Sequence, residues 1–519
     1  MISFLLSLVA LVLGYLIYGK FVERIVGPDD RITPAVAMAD GVDYIVMPNW
    51  RIFMIQFLNI AGTGPIFGAI MGAWYGPGAY LWIVLGCIFA GAMHDYFSGM
   101  LSIRHKGANQ PEIIGLYLGK TTRIILLCVT VLLLILVGAV FVYSPALLLQ
   151  GMAPIGIIWW VGLIFVYYIF ATMLPIDKLI GRVYPLFAIS LLFMALGLLV
   201  MLFLKWPALP EVWTPAAELN MNEPVAGLTP AQLLGVDSFI AKNPVFPCLF
   251  ITIACGAISG FHATQSPLMA RCMKSERMGR PIFYGSMITE GLVALVWATA
   301  SSYFFYYGGW KELVSPDVAA AFLSQVGGEN GKTLVQYFTA PNVVSYICNG
   351  WLGLFGGILA VLGVVAAPIT SGDTALRSAR LIIASALGVE QRSIPKRFLI
   401  CLPIFGMALA VLIWQMENPD GFNTIWQYFG WTNQTLSVFM LWAITVYLVK
   451  QKKLYVVSLV PALFMTTVSI GFLFLSPQAF GKYIPTAVGY GLIAVVILVS
   501  LVWFFRWKHN NEAKDALNK

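Results

Sequence analysis

Two long apolar stretches of the chain are interrupted by small and polar residues, and these interruptions are the best candidates for a site with chemistry. The residues are Gly62, Thr63, Gly64 and Pro65 in the first stretch, and Gly256, Ser259, Gly260 and His262 in the second. An intact helix in lipid pairs its own backbone polar groups, and each group that a break leaves unpaired costs several kcal/mol. The breaks therefore predict a site where freed backbone groups bind a ligand.

Each break is expected to start a second half-helix near mid-membrane, at Ile66 and at Phe261. Helix starts present unpaired N–H groups and a positive dipole end, so two of them would hold a carboxylate without a buried arginine, and none is expected. The alternative is that the glycines only permit close helix packing, which we favour for Gly68 and Gly72 alone. Packing explains the first break less well, because Pro65 removes a donor and clashes with the preceding turn.

Two acidic residues, Asp95 and Glu290, fall inside apolar stretches, where an ionised carboxylate is costly. Both are candidates for carrying a proton. The alternative for Asp95 is an interfacial ion pair with Arg104, and the alternative for Glu290 is a hydrogen bond to a neighbouring helix. His262 can titrate near neutral pH or donate to a bound carboxylate, although a packing role is also open.

A second group of oxygen atoms lies at Thr370, Ser371 and Asp373. Such a group can bind Na⁺ or relay protons. The alternative is an N-cap, by Ser371 or Asp373, for an amphipathic surface helix over 373–387 that carries Arg377 and Arg380 on one face. Two amides further along, Asn433 and Gln434, are expected to bond between helices rather than to touch a substrate.

The composition places these residues in a membrane. The chain has 519 residues, of which 60% are hydrophobic and 10% charged, with mean hydropathy +0.84. Such a chain is an all-α polytopic membrane protein. Hydropathy predicts about thirteen spans, at 2–18, 50–73, 79–101, 124–149, 155–174, 184–204, 245–267, 282–308, 344–370, 398–416, 428–449, 454–476 and 484–505. We expect one transporter domain over 1–507, with outer loops at 205–244 and 309–343, and a short disordered cytoplasmic tail over 508–519.

The basic residues orient the spans. All but five of the 31 Lys and Arg residues fall in alternate loops, which the positive-inside rule assigns to the cytoplasm. The five exceptions are Lys205, Lys242, Lys311, Lys332 and Lys482. This predicts an outer N-terminus and a cytoplasmic C-terminus in a bacterial inner membrane. The net charge of +8 then reflects topology and does not indicate a nucleic-acid partner.

The two breaks lie in the second and seventh spans. An odd separation gives the two spans opposite directions, as an inverted five-plus-five repeat requires. A short sequence similarity between the two spans supports this repeat, since Phe57-x-x-Ile60-Ala61 recurs as Phe250-x-x-Ile253-Ala254.

No motif for catalysis is present. The sequence has no Walker A, HExxH or GxSxG motif, and its seven cysteines form no CxxC pair. The four histidines, at 94, 105, 262 and 509, are scattered. We therefore expect no enzyme, no metal site and no cofactor beyond a coupling ion, H⁺ or alternatively Na⁺.

Several segments match one known family. The longest is PVFPCLFITIACGAISGFHA at 244–263, and the others are 59–68, 91–96, 284–291, Thr370-x-x-Asp373-x-x-x-Arg377 and Trp431-x-Asn433-Gln434. Together they resemble the carbon starvation protein A family, over about residues 10–450. The resemblance implies an inner-membrane uptake carrier related to the amino acid–polyamine–organocation group, with a five-plus-five inverted repeat. It also implies a role in carbon starvation and a cargo of peptides or pyruvate.

The sequence therefore predicts a secondary transporter that imports a small carboxylate nutrient, pyruvate or a short peptide, by proton symport. One alternative is a sodium-coupled amino acid or peptide symporter. Another is a transporter-like nutrient sensor that binds without accumulating. Oligomeric state cannot be read from the sequence.

Overall fold

The computed structural model describes residues 1–41, 43–173, 176–225, 227–326, 331–389, 393–418 and 421–517, and this part of the chain is helical without a β-strand. Ten helices are long and apolar enough to cross a membrane, and a bent pair of shorter helices makes an eleventh candidate. The prediction of an all-helical, multi-pass membrane protein is confirmed. The helices used below are α1 (Ile2–Val26), α2 (Asn49–Ile60), α3 (Gly64–Gly72), α4 (Gly78–Arg104), α5 (Lys120–Gly151), α6 (Ile157–Met173), α7 (Tyr184–Lys205), α8 (Val245–Thr252), α9 (His262–Ala270), α10 (Glu276–Tyr306), α11 (Gly356–Leu387), α12 (Ile394–Glu417), α13 (Thr424–Lys450), α14 (Val456–Leu475) and α15 (Thr486–Glu512).

Burial separates central helices from peripheral ones. More than four-fifths of the apolar window is buried in α4, α10, α11 and α13, but less than a third in α1 and α15. Helices that are apolar on all sides belong in a core or in lipid. The central helices surround the short helices α2, α3, α8 and α9, so the two breaks lie inside the bundle.

The loops collect at two ends, as the predicted topology requires. At one end Arg104 binds Glu276 through two nitrogens, at 3.1 and 3.0 Å, and also donates to the carbonyl of Gly27 and the hydroxyl of Tyr447. These four residues come from loops or helix ends predicted to be cytoplasmic. At the other end, Lys311 pairs with Glu223 at 2.8 Å, which joins the two predicted outer loops. We call these the predicted cytoplasmic end and the predicted outer end.

Two expectations about helix ends are wrong. The helix of span nine does not stop near 370, because α11 continues to Leu387, so no separate surface helix starts at 373 and nothing there needs an N-cap. Arg377 and Arg380 are fully buried rather than on a solvated face. The tail after Trp507 is also helical, to Leu517, and an i,i+4 pair between Lys508 and Glu512 at 3.2 Å supports it.

Both predicted outer loops contain short helices. The loop at 205–244 holds Pro230–Leu234 and Val236–Lys242, and the loop at 309–343 holds Gly309–Leu313, Pro316–Gln325 and Leu334–Tyr337. The first helix of the earlier loop starts with a capping box, in which Thr229 and Gln232 each bond the other's backbone N–H.

Candidate functional site

The two breaks touch each other at the centre of the bundle. The first runs from Ile60 to Gly64, where α2 and α3 are bent by 44°. The second spans residues 253–261, between α8 and α9. A Cβ atom at Gly64 would overlap the side chain of Cys255, and one at Gly256 would lie 3.8 Å from the Cα of Pro65. The new half-helices begin at Gly64 and His262, within two residues of the predicted starts.

Several glycines at the breaks permit close packing of the backbone. Gly68 and Gly72 face the end of α8, where a Cβ at Gly68 would come within 2.7 Å of the carbonyl oxygen of Thr252. The packing explanation is therefore correct for this pair. Gly260 is equally confined, because a Cβ there would overlap the backbone of Asn433.

Replacing Gly64 with alanine tests this contact. The added methyl group would overlap Cys255, and overpacking of this kind costs about 1–3 kcal/mol. We expect a lower unfolding midpoint in detergent and loss of uptake. The control is Gly406→Ala in α12, because a Cβ at Gly406 meets nothing within 4 Å. Equal midpoints for the two variants would show that the breaks do not touch.

Backbone N–H groups at the breaks are free. Among the described residues, no acceptor is recorded for the N–H of Thr63, Cys255 or Gly256. These three donors lie where the breaks meet, inside the protein. Unpaired buried N–H groups are rare, so these donors favour an anionic or carbonyl-bearing ligand.

Asn433 of α13 holds the second break in shape. Its side-chain oxygen accepts from the N–H of Phe261 at 2.7 Å and from the hydroxyl of Ser259 at 2.9 Å. Its backbone oxygen accepts from the N–H of Gly260 at 3.2 Å. The neighbouring Gln434 donates to the carbonyl of Phe250 at 2.8 Å. Both amides bond between helices, as the sequence predicts.

A chain of four titratable residues starts at the second break. His262 is the first residue of α9, and its Nδ1 lies 2.8 Å from one oxygen of Asp95. The other oxygen of Asp95 is 2.8 Å from Nδ1 of His94, and Nε2 of His262 is 3.4 Å from Glu290. All four side chains are fully buried. We call His94, Asp95, His262 and Glu290 the titratable chain.

Within the described residues, the structure shows neither the ion pair of Asp95 with Arg104 nor the hydrogen bond of Glu290 to a neighbouring helix that were considered as alternatives. Asp95 does not pair with Arg104, whose carboxylate partner is Glu276; both oxygens of Asp95 bind histidines instead. Glu290 contacts His262 at ion-pair distance but without hydrogen-bond alignment, and neither of its oxygens has a hydrogen-bond partner in the described part of the chain. Nε2 of His94 is likewise unpartnered there.

The net charge of the titratable chain depends on how many protons it binds. No lysine or arginine forms an ion pair with it in the described ranges. With both carboxylates ionised and both imidazoles neutral, the chain would hold two negative charges in the membrane interior, where even one is costly. It becomes neutral only when it binds two protons, so its charge follows its proton occupancy.

Irregular helical turns position the chain. A π-helical segment, Gly86–Gly91, precedes Asp95 in α4, and π turns often occur at functional sites. A Cβ at Gly91 would overlap the carbonyl of Ala257, so α4 lies directly against the second break. The hydroxyl of Tyr284, at the end of the π-helical segment Arg280–Tyr284 within α10, donates to the carbonyl of Ile88 at 3.1 Å. The bulged turn thus links α4, the break and the helix that carries Glu290.

A family model described as Carbon starvation protein CstA matches residues 1–222 and 144–471 of this chain. The chain belongs to the CstA family. Named relatives support the assignment: the peptide transporter CstA of Bacillus subtilis is 26% identical over 580 residues, covering 95% of this chain and 94% of the relative. The Campylobacter jejuni peptide transporter CstA is 26% identical over 590 residues, covering 96% and 83%. A membrane protein of Haemophilus influenzae is 46% identical over 344 residues, covering 59% and 91%.

Solved structures share the fold of this CstA family member. A manganese transporter from Eremococcus coleocola, in complex with an aromatic bis-isothiourea compound, superposes with a TM-score of 0.52 at 12% identity. It covers 92% of this chain and 99% of that one. At this identity the likeness concerns the fold alone.

In this CstA family member, the residues of the second predicted ion site, Thr370, Ser371 and Asp373, do not all point to the same side of α11. Thr370 donates to carbonyls of its own helix, and Asp373 accepts from the hydroxyl of Tyr184 at 2.5 Å, on the side of α7. Ser371 points elsewhere, to the carbonyl of Leu58 at 3.1 Å, beside the first break. The hydroxyl of Tyr184 also lies 3.4 Å from the carbonyl of Thr370, so Thr370 and Asp373 lie together beside α7, and only Ser371 lies against a break.

Sequence reasoning missed part of this polar interior. Gln56 and Asn59 follow one another at helical spacing on α2, and the predicted site residue Thr63 continues their face into the first break. All three are fully buried and have side-chain atoms without a partner in the described ranges. Their i, i+3, i+7 spacing in an apolar helix was the available signal. His94 was also missed as a member of the site, because its role depends on Asp95 beside it.

Three residues of this CstA family member could also hold a cation. Ligand atoms of Cys255, His262 and Glu290 lie within 4.8 Å of one another. Asp95 orients the His262 ring through Nδ1, as a carboxylate does for metal-binding histidines. The expectation of no metal thus stays a prediction, which a chelator tests below.

Proposed function

We propose that this protein is a proton-coupled secondary transporter that carries a small carboxylate-bearing nutrient, pyruvate or a short peptide, into the bacterial cell. The single observation that carries the proposal is the titratable chain at the second break. A fully buried series of carboxylates and imidazoles, beside free backbone donors, supports coupling between cargo and protons. Binding of an anionic cargo and of protons would each lower the cost of the other.

Two observations support a cargo that carries a carboxylate. The free N–H groups of Thr63, Cys255 and Gly256 favour a carboxylate. Several relatives are named peptide transporters, and a peptide ends in a carboxylate. Relatives and fold neighbours are transporters, so we propose no enzymatic activity, no nucleic-acid partner and no cofactor besides the coupling ion.

The architecture that we propose is finer than the fold alone. Counting the bent pair α2–α3, the pair α8–α9 and the shorter α6, the chain would cross the membrane thirteen times, as one domain over 1–507. We assign the end that holds Arg104 and Glu276, the predicted cytoplasmic end, to the cytoplasm. The N-terminus is then outside and the C-terminus inside. The contact between the two breaks supports an inverted five-plus-five repeat.

Proteoliposome uptake tests the function. Labelled pyruvate and dialanine are offered to vesicles under an imposed proton gradient, and then under a sodium gradient at equal pH. We expect saturable accumulation of one cargo with the proton gradient alone, because the titratable chain changes charge only with protons. Accumulation that requires sodium would contradict the proposal.

Two alternatives have supports of their own. Sodium coupling is favoured by Ser371, whose hydroxyl lies beside the carbonyl of Leu58 at the first break. Divalent-cation transport is favoured by the Cys255, His262 and Glu290 set. The same vesicles distinguish them: EDTA should leave proton-driven uptake unchanged, and labelled Mn²⁺ should not accumulate. A nutrient sensor would bind cargo without accumulating it.

A further inference from the structure

Two arginines of α11, Arg377 and Arg380, lie inside the protein with no counterion among the residues that the structure describes. Both side chains are fully buried. One nitrogen of Arg377, Nη2, donates to the carbonyl of Ala171 at 2.8 Å. Nε and Nη1 of Arg377 and all three nitrogens of Arg380 have no partner in the described ranges. Among the described residues, five guanidinium nitrogens in one buried place therefore have no hydrogen-bond partner.

Neighbouring charges do not compensate for these arginines. Neither residue forms an ion pair within the part of the chain that the structure describes. Asp373, one turn earlier on α11, gives one oxygen to Tyr184, while its other oxygen is unpartnered. Arg380 lies in the field of two cations, Arg377 and Arg397, and of one acid, Asp43. Among the described residues the local charge balance is positive, and arginine cannot lose its proton in a protein.

We propose that Arg377 and Arg380 form a phosphate-binding site at the predicted cytoplasmic end. A guanidinium is a planar fork that binds phosphate oxygens in pairs. Two fixed positive charges match a free phosphate, which carries about −1.5 to −2 at neutral pH. They also attract the phosphodiester of a lipid headgroup, which carries one negative charge. The unsatisfied nitrogens carry more N–H groups than one carboxylate accepts, whereas the oxygens of a phosphate accept them all.

The position of the site gives it a structural consequence. Ser378, between the two arginines, donates to the carbonyl of Thr264 on α9 at 3.2 Å. Arg377 reaches the end of α6 through Ala171. A phosphate here would fix α11 against α6 and against the helix that starts at the second break. The site lies toward the predicted cytoplasmic end of α11. Arg380 lies about 10 Å beyond Asp373 along the helix, at 1.5 Å per residue.

The phosphate has two possible sources, a soluble phosphate and the headgroup of an anionic lipid. Their shared chemistry is the phosphate oxygens, and they differ in how they arrive and in how they are removed. A lipid phosphate remains bound through mild detergent extraction and is lost on delipidation. A soluble phosphate is lost on dialysis. Neither source depends on which cargo is transported.

The test uses the full chain in detergent, delipidated and free of phosphate. We expect inorganic phosphate, at constant ionic strength against chloride, to raise the unfolding midpoint in a saturable way, with one phosphate bound per chain. Arg380→Gln should weaken phosphate binding by about 10- to 100-fold, as expected for losing charge-assisted bonds. Arg377→Lys keeps the charge but loses the fork, so its loss should be smaller. The control is Arg277→Gln, an exposed arginine paired with Asp30 at the same end.

A reversal in stability separates this proposal from a simple folding defect. Without phosphate, Arg380→Gln removes an uncompensated buried charge and should unfold at a higher temperature than the unmodified protein. With saturating phosphate, the order should invert. A variant that is less stable under both conditions, with no phosphate response in the unmodified protein, would overturn the site.

Two further experiments complete the test: native mass spectrometry and a variant of Asp43. Native mass spectrometry of mildly extracted protein should show a retained anionic phospholipid, lost in Arg380→Gln, if the source is lipid. If the source is soluble, no such lipid difference is seen and phosphate binding remains. Asp43→Asn removes the nearby acid and should tighten phosphate binding. If Asp43 instead pairs with Arg380 in solution, Asp43→Asn destabilises the protein and phosphate has no effect, which contradicts the proposal.

Discussion

Replacing Glu290 with glutamine should abolish proton-driven accumulation while sparing exchange of cargo for cargo. Glutamine has nearly the same shape but cannot take up a proton. Glu290 is the end of the titratable chain, 3.4 Å from Nε2 of His262. Without it, Asp95 is the only carboxylate left, and one protonated histidine balances it. The chain would then no longer need to change its proton occupancy during the cycle.

The expected size of the effect follows from the driving force. A gradient of one pH unit supplies about 1.4 kcal/mol for each coupled proton, so each proton supports about tenfold accumulation. The unmodified protein should approach that ratio, and Glu290→Gln should reach only equal concentrations inside and outside. Counterflow, measured with preloaded unlabelled cargo, should persist because the breaks are unchanged.

A matched acid serves as the control. Glu312 lies in a predicted outer loop, where it pairs with Lys205 away from the titratable chain. Glu312→Gln should therefore accumulate cargo normally. If Glu290→Gln accumulates cargo with the same pH dependence as the unmodified protein, Glu290 is not a coupling residue.

Much of the fold could be predicted because lipid imposes a strong rule. A span must be apolar and helical, so hydropathy alone locates the long helices. The broken helices were also visible, since Pro65 and the clustered glycines cannot continue a helix cheaply. Helix ends in the interior were not predictable: α11 runs on to Leu387 through two arginines, because burial there depends on neighbours that are distant in sequence.

The sequence identifies most residues of the site, but it does not reveal which of these residues contact each other. Asp95, His262 and Glu290 stand out as polar residues in apolar stretches. Their spatial order depends on how α4, α9 and α10 meet, which no local pattern encodes. For the same reason Asp95 was considered as a partner of Arg104, nine residues along the same helix, while its actual partners are two histidines.

Replacing Asn433 with leucine should remove cargo binding with little loss of the overall fold. Leucine is close in size, but it leaves the N–H of Phe261 and the hydroxyl of Ser259 without their acceptor. Two buried donors left unpaired cost about 1–3 kcal/mol each. Since about 1.4 kcal/mol corresponds to tenfold in affinity, we expect cargo binding to weaken by about 100-fold.

Two other variants of α13 define the cause. Thr432→Val is the control, because the hydroxyl of Thr432 bonds only to the carbonyl of Tyr428 in its own helix, so we expect little change. Asn433→Asp keeps both acceptor positions and should recover part of the binding. Equal affinities for Asn433→Leu and Thr432→Val, measured by equilibrium binding in detergent, would show that Asn433 does not support the site.

Asn433 and Glu290 should fail in different ways, because they act on different parts of one site. The backbone oxygen of Asn433 still accepts from Gly260 in the leucine variant, so the second break stays against α13 and the protein folds. What is lost is the geometry of the freed N–H groups that receive the cargo. Asn433→Leu should therefore lose equilibrium binding and exchange together, whereas Glu290→Gln should keep both and lose only accumulation. A variant of Asn433 that binds cargo normally but no longer accumulates it would place this amide in proton coupling instead.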